Sequence, residues 1–182
     1  MGRNRRPYER VKMNVCNQSD RGGKKPLLVV LHDTESHDRP ANADLEAIGA
    51  WFDNPVSQAS AHVCVDGEGR SARYVLDARK AWHCAGYNSV SLGIEQIGFA
   101  SYPKLVWKKN RKQLHKVARY VAFWSRKYNI PIRKGKVSGG QVLRPGVVTH
   151  MQLGVVGGGH DDPGRSYPFW LVLRLARRYA KS

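Results

Sequence analysis

The run Leu27-Leu28-Val29-Val30-Leu31, set off by Pro26, is the feature that most constrains this chain. Its length and β-branched centre fit a buried strand. The strand delivers His32 at its carboxyl end, followed by Asp33-Thr34-Glu35-Ser36. An open sheet presents functional groups at that end of its strands.

The segments around this strand alternate in type. Residues 42–52 read as a helix, with Leu45, Ile48, Trp51 and Phe52 on one face, Asn42 as N-cap and Asn54-Pro55 as the stop. Ala61-His62-Val63-Cys64-Val65 reads as a strand, Asp66-Gly67-Glu68-Gly69-Arg70 as a turn, and residues 72–76 as the returning strand of a hairpin. Ala81-Trp82-His83-Cys84-Ala85-Gly86 is a loop. Residues 91–98 form a strand with Glu95 set among apolar neighbours. A helical period covers 110–128, with Leu114, Val117, Ala118, Val121 and Trp124 as its stripe and Pro131 as its end. Residues 142–148 are a short segment, and 167–179 a last helix. The expectation is a single α/β domain with a mixed central β-sheet flanked by helices. Residues 1–25 are read as a basic, loosely ordered arm carrying a short strand around 11–15.

The chain has 182 residues and 41% hydrophobic content, enough for one domain with a real core. No apolar run is long enough to span a bilayer. The basic start has no apolar segment behind it, so export by the general secretory route is not expected. Arg6 stands where a myristoylation motif needs Ser or Thr. Cys16, Cys64 and Cys84 are odd in number and widely spaced, which argues for free thiols. The net charge of +17 calls for an anionic partner: nucleic acid, an anionic cell-wall polymer or an acidic membrane surface. Charge does not separate these.

Chemistry concentrates in residues 149–164. This stretch holds His150 and His160, the adjacent carboxylates Asp161 and Asp162, and a closing Pro163-Gly164. His and Asp are ordinary zinc ligands, and a catalytic zinc site takes three protein ligands and keeps one position open. The stretch supplies two ligands if one histidine is kept for other work. A Gly-rich surface loop is the plain alternative.

Taken in order, Leu31-His32-Asp33-Thr34, the hairpin with His62, Trp82-His83 with Asn88, Gly93-Ile94-Glu95, Thr149-His150 and Asp162-Pro163-Gly164 resemble the zinc-dependent N-acetylmuramoyl-L-alanine amidases. This superfamily includes amidase-type phage lysozymes, anhydro-muropeptide amidases and peptidoglycan recognition proteins. The resemblance covers roughly residues 26–178, and the chain looks most like a phage endolysin catalytic domain. It implies a zinc amidase domain over 26–182, with His32, His150 and Asp162 as ligands of a Zn2+ ion. It implies Glu95 as the acidic residue opposite the metal, taking a proton from the attacking water. His160 stands where many relatives carry Lys, a place for stabilising the oxyanion or protonating the leaving amine. His62, Trp82, His83 and Asn88 would line the substrate groove. The implied reaction is hydrolysis of the amide between N-acetylmuramic acid and L-alanine in bacterial peptidoglycan. The implied protein is a monomer, held in the host cytoplasm until release to the wall, with its charge attracted to anionic wall polymers and no specific nucleic-acid partner.

Each residue has a plainer reading. His32 and His150 can be hydrogen-bonded strand-end histidines, and Asp162 a turn former with Asp161 as the rival carboxylate. Glu95 can pair with an arginine. His62 and Cys64, or His83 and Cys84, can be drawn as a different metal site. A non-catalytic peptidoglycan-binding module of the same fold, and a basic nucleic-acid-binding protein, are the competing functions. His37 and His115 are most simply surface residues.

Overall fold

The computed structural model describes residues 6–181. In chain order its elements are β1 (Val11–Lys12), β2 (Gln18–Asp20), β3 (Leu28–Leu31), α1 (Ala43–Asp53), β4 (Val63–Val65), β5 (Ser71–Arg73) and β6 (Arg79–Ala81). There follow β7 (Ser91–Gln96), α2 (Lys104–Lys109), α3 (Arg111–Tyr128), β8 (Lys136–Ser138), β9 (Gln141–Arg144), β10 (Gly146–Thr149) and α4 (Phe169–Lys181). Short 3-10 turns at Ala85–Val90, His150–Leu153 and Val155–Gly157 lie around the site.

Six strands form the central sheet in the order β1-β5-β4-β7-β3-β10. The β4–β5 hairpin is antiparallel and the other neighbours are parallel, so the sheet is mixed. All four residues of β3 are buried, because both faces of the sheet are covered. Val29 and Leu31 join Leu92, Ile94, Val63 and Val65 beneath α2, α3 and α4. Leu28 and Val30 face the other way, against Cys84, Tyr87, Val148 and Leu153. The α3 stripe of Leu114, Val117, Ala118, Val121 and Trp124 is buried as its spacing requires. The helix ends at Tyr128 because Asn129 takes a left-handed conformation and returns its N–H to Ser125 O.

Several sequence readings need correction. Residues 6–25 are built into the fold. The edge strand β1 pairs with β5, β2 pairs with β6, and Val15 is buried. The buried Arg21 guanidinium donates to the carbonyls of Asn88, Ser89, Ser91, Asp77 and Arg79, which ties this segment to the core. Residues 1–5 of the expected arm lie outside the described residues. On α1, Leu45 and Phe52 are buried, but Trp51 is 54% exposed, and Asn42 makes no side-chain cap bond. Residues 142–148 divide between β9 and β10, with Pro145 at the break. The sequence reading missed α2, where flanking lysines obscure the buried Trp107, the paired strands β2 and β6, and the β8–β9 ribbon.

Strand register positions the site. Leu31 pairs with Ile94 on one side and Thr149 on the other, all in parallel strands. The next residue along each strand is His32, Glu95 and His150. Alternation turns these three away from the α3–α4 face and toward the Cys84–Tyr87 side. Among the described residues, no helix is long and apolar enough to cross a membrane.

Candidate active site

His32 follows β3 and is buried; His150 follows β10 and opens a 3-10 turn. The Gln152 side-chain Oε1 accepts the Thr149 backbone N–H at 3.2 Å, which closes that turn. The Nδ1 atoms of His32 and His150 lie 3.0 Å apart. Asp162 closes the triangle, with Oδ2 at 3.0 Å from His32 Nδ1 and Oδ1 at 2.8 Å from His150 Nδ1. Asp161 is exposed and lines a different, shallow pocket; its carbonyl accepts the Gly164 N–H that closes the turn.

The far side of each ring is fixed by a hydrogen bond that sets its tautomer. His150 Nε2–H donates to Gly157 O at 2.8 Å. His32 Nε2 is 3.0 Å from His83 Nδ1, and His83 Nε2 is 3.1 Å from Ser91 Oγ. Ser91 Oγ–H donates to Tyr87 O at 2.8 Å. This order directs His83 Nε2–H to Ser91 and His32 Nε2–H to His83 Nδ1. Both ligand-side Nδ1 lone pairs are then left facing Asp162. Gly93 makes room for the His83 ring, since a Cβ there would stand 2.8 Å from it.

Among the described residues, the His32–His150–Asp162 group brings three donor atoms within 4.8 Å of one another, as a metal ion requires. Two imidazoles and a carboxylate, with their outer atoms already bonded, fit a divalent transition metal. The alternative pairing of His62 with Cys64 forms no such group. Cys64 is fully buried, and burial pushes its thiol well above the usual range. A second group is made of carboxylates alone, the exposed Asp38 with the buried Asp44 and Asp66. Asp66 accepts from Arg70, and Asp44 from the backbone N–H groups of Leu45 and Arg39.

A cavity of about 480 Å³ opens over the cluster. Glu95 lines it, and its Oε2 is enclosed with no hydrogen-bond partner. Burial, reinforced by Asp162 and Asp33, pushes the Glu95 carboxyl well above its ordinary range. No arginine pairs with it among the described residues. Asp33 also lines the cavity, and burial raises its carboxyl to about 8. The sequence placed Asp33 beside His32 but gave no sign that it would be enclosed. His160 is exposed at the rim, its ring stacked on His150 at 4.6 Å and 24°. Gly158, at φ +114°, makes that stack possible: a Cβ would approach the His160 ring to 3.0 Å.

Of the four expected groove residues, Trp82, His83 and Asn88 line the cavity. The Trp82 indole N–H donates to Ser19 Oγ, and Asn88 Oδ1 accepts from the backbone N–H groups of His83 and Cys84. His62 does not line it. Its side chain is fully buried, accepting from Gly93 N–H at Nδ1 and lying 3.0 Å from Arg21 and 3.2 Å from Arg79 O at Nε2. The extended backbone carries it under the cavity floor. Arg21, which holds it there, gave no signal in the sequence beyond a charge in a basic segment. His37 packs on Phe99, and His115 Nδ1 lies 2.6 Å from the Tyr179 hydroxyl.

Fold and site together define a single-domain α/β protein with a histidine–histidine–carboxylate centre at the carboxyl ends of parallel strands. The Amidase_2 family, N-acetylmuramoyl-L-alanine amidase, matches residues 22–165. The chain belongs to this family, and its reaction is hydrolysis of the N-acetylmuramoyl-L-alanine amide of peptidoglycan. Solved structures share the fold. The endolysin amidase LysCS of Clostridium intestinale URNW is 17% identical, with TM-score 0.63 over 93% of this chain and 95% of that one. A selenomethionine derivative of AmpD is 17% identical, with TM-score 0.68 over 95% and 96%. The Staphylococcus aureus hydrolase AmiA, solved with its ligand, is 19% identical, with TM-score 0.70 over 96% and 84%. No curated protein sequence matches the chain significantly.

Proposed function

We propose that this amidase is a zinc enzyme of the endolysin type, with His32, His150 and Asp162 holding the ion. The observation that carries the reading is the convergence of two Nδ1 lone pairs and one carboxylate, each ring's outer nitrogen being bonded elsewhere. When bound, zinc supplies Lewis acidity that polarises the lactyl carbonyl and eases ionisation of water. Glu95 takes the proton of the attacking water on its unpartnered Oε2 and returns it to the amine nitrogen as the C–N bond breaks. His160, at the rim and stacked on His150, stands where a donor can reach the oxyanion or the leaving amine. Trp82 offers a sugar or peptide an aromatic wall. His83 serves the site chiefly by orienting His32, with Asn88 fixing the backbone that carries it. Residues 6–25 complete the catalytic domain, with β1 as an edge strand of its central sheet and β2 paired with β6. The endolysin reading rests on the likeness to endolysin amidases such as LysCS and places the protein in the host cytoplasm until release to the wall.

Metal analysis of protein purified without chelators should give one zinc per chain. Digestion of purified peptidoglycan should release new L-alanine amino termini and no new reducing sugars. Stoichiometric zinc with no new amino termini would replace this reading with a binding module.

A further inference from the structure

A cavity of about 710 Å³ lies away from the active site between α2, α3 and α4, and shares no lining residue with it. Its rim carries Lys104, Lys108, Arg111, Arg174 and Arg178, all exposed. No carboxylate lines it, and none of these five cations forms an ion pair among the described residues. Its floor is apolar, built from Leu114, Tyr167, Phe169 and Leu175. Two large apolar side chains on these helices stand in water: Trp170, which lines the cavity, is 65% exposed, and Leu105, next to Lys104 on α2, is 71% exposed. On α4, Trp170, Arg174, Arg178 and Lys181 follow at spacings of four, four and three residues, one stripe along the helix.

We propose that this α2–α3–α4 face docks the protein on an anionic phospholipid bilayer. A ring of cations alone suits any phosphate polymer. The combination with an apolar floor and exposed Trp170 and Leu105 suits an amphiphilic surface. There the arginines and lysines meet lipid phosphates while the indole and the leucine enter the interface. A polyol-phosphate chain or a nucleic-acid backbone would satisfy the cations and leave Leu105 in water. Because the two cavities share no residue, a docked molecule keeps its catalytic cavity free for the wall. The inference does not depend on the identity of the metal.

The test is co-sedimentation of the full chain with vesicles of phosphatidylcholine alone and of phosphatidylcholine mixed with phosphatidylglycerol. Binding is expected only to the anionic vesicles, with a blue shift of tryptophan fluorescence. R174E/R178E should weaken it at least about tenfold. W170A should weaken it and abolish the shift. K24E/K25E makes the same change in net charge away from the groove and should leave binding nearly intact. All five positions are exposed, and turnover of a soluble muropeptide should be unchanged in every variant. Equal binding to neutral vesicles, or an equal loss in K24E/K25E, overturns the proposal. So does a single-stranded oligonucleotide that binds as tightly with the same dependence on Trp170, which would make the occupant a polyanion.

Discussion

His32 and His150 are 118 positions apart in sequence, yet their Nδ1 atoms lie 3.0 Å from each other. The parallel pairing of Leu31 with Thr149 brings them together. Replacing either by Ala removes one of three donors and leaves the apolar core clusters intact. His32→Ala and His150→Ala should therefore remain folded, by circular dichroism, while losing bound zinc and wall hydrolysis together. A His32→Ala protein that keeps stoichiometric zinc would falsify the ligand assignment.

Glu95 stands beside this cluster without belonging to it. Glu95→Gln keeps the shape and removes the proton acceptor. Zinc content should be unchanged and turnover should fall by about 10²–10⁴-fold. The comparison is metal analysis against the rate of new amino termini on the same preparation. A loss of zinc equal to the loss of rate would show that Glu95 supports the metal instead.

His83 acts on His32 through a single hydrogen bond of 3.0 Å. His83→Ala frees His32 to rotate or change tautomer and should weaken zinc binding by about 10–100-fold in chelator competition. His83→Gln restores an acceptor and should recover part of that affinity. If His83 only contacts substrate, both variants will hold zinc normally and differ from the wild type in KM.

Asp77 is nearly enclosed, with its side chain 2% exposed, and it anchors Arg6 at 2.6 Å and Lys127 at 2.8 Å. Burial acts to raise its pKa, but Arg6 and Lys127 together outweigh it, so the folded value lies below 3.8. A depressed carboxyl contributes stability that is fully present above the unfolded value and lost as pH falls through the folded one. Asp77→Asn should cost about 1–3 kcal/mol near neutrality. The gap in Tm between the two proteins should narrow as pH drops below about 3.8. A gap that stays constant into acid would mean the loss comes from packing instead of charge.

Much of this site was legible in the chain, for local reasons. Leu27–Leu31 reads as a strand because its side chains suit burial, and a strand must end, which exposes His32. Asp162 before Pro163-Gly164, Glu95 within an apolar run and His150 after Val147-Val148 are visible in the same way. The α3 stripe is legible because a helix repeats its contacts every three or four residues. The face of α1 was less so: whether Trp51 is covered depends on what packs there, and Met13, from a segment read as an arm, lies against Gly49.

The sequence by itself determined the fold class, the order of the motifs and the residue types that carry the chemistry, because periodicity and side-chain character are properties of short segments. Tertiary structure decided which of these groups meet. It chose Asp162 over Asp161 and placed His83 behind His32. It sank His62 beneath the floor against Arg21, and it drew residues 6–25 into the domain. It also gathered five cations and an apolar floor on the far helices. These outcomes depend on strand register and helix packing between residues tens to more than a hundred positions apart, and no local pattern encodes that pairing.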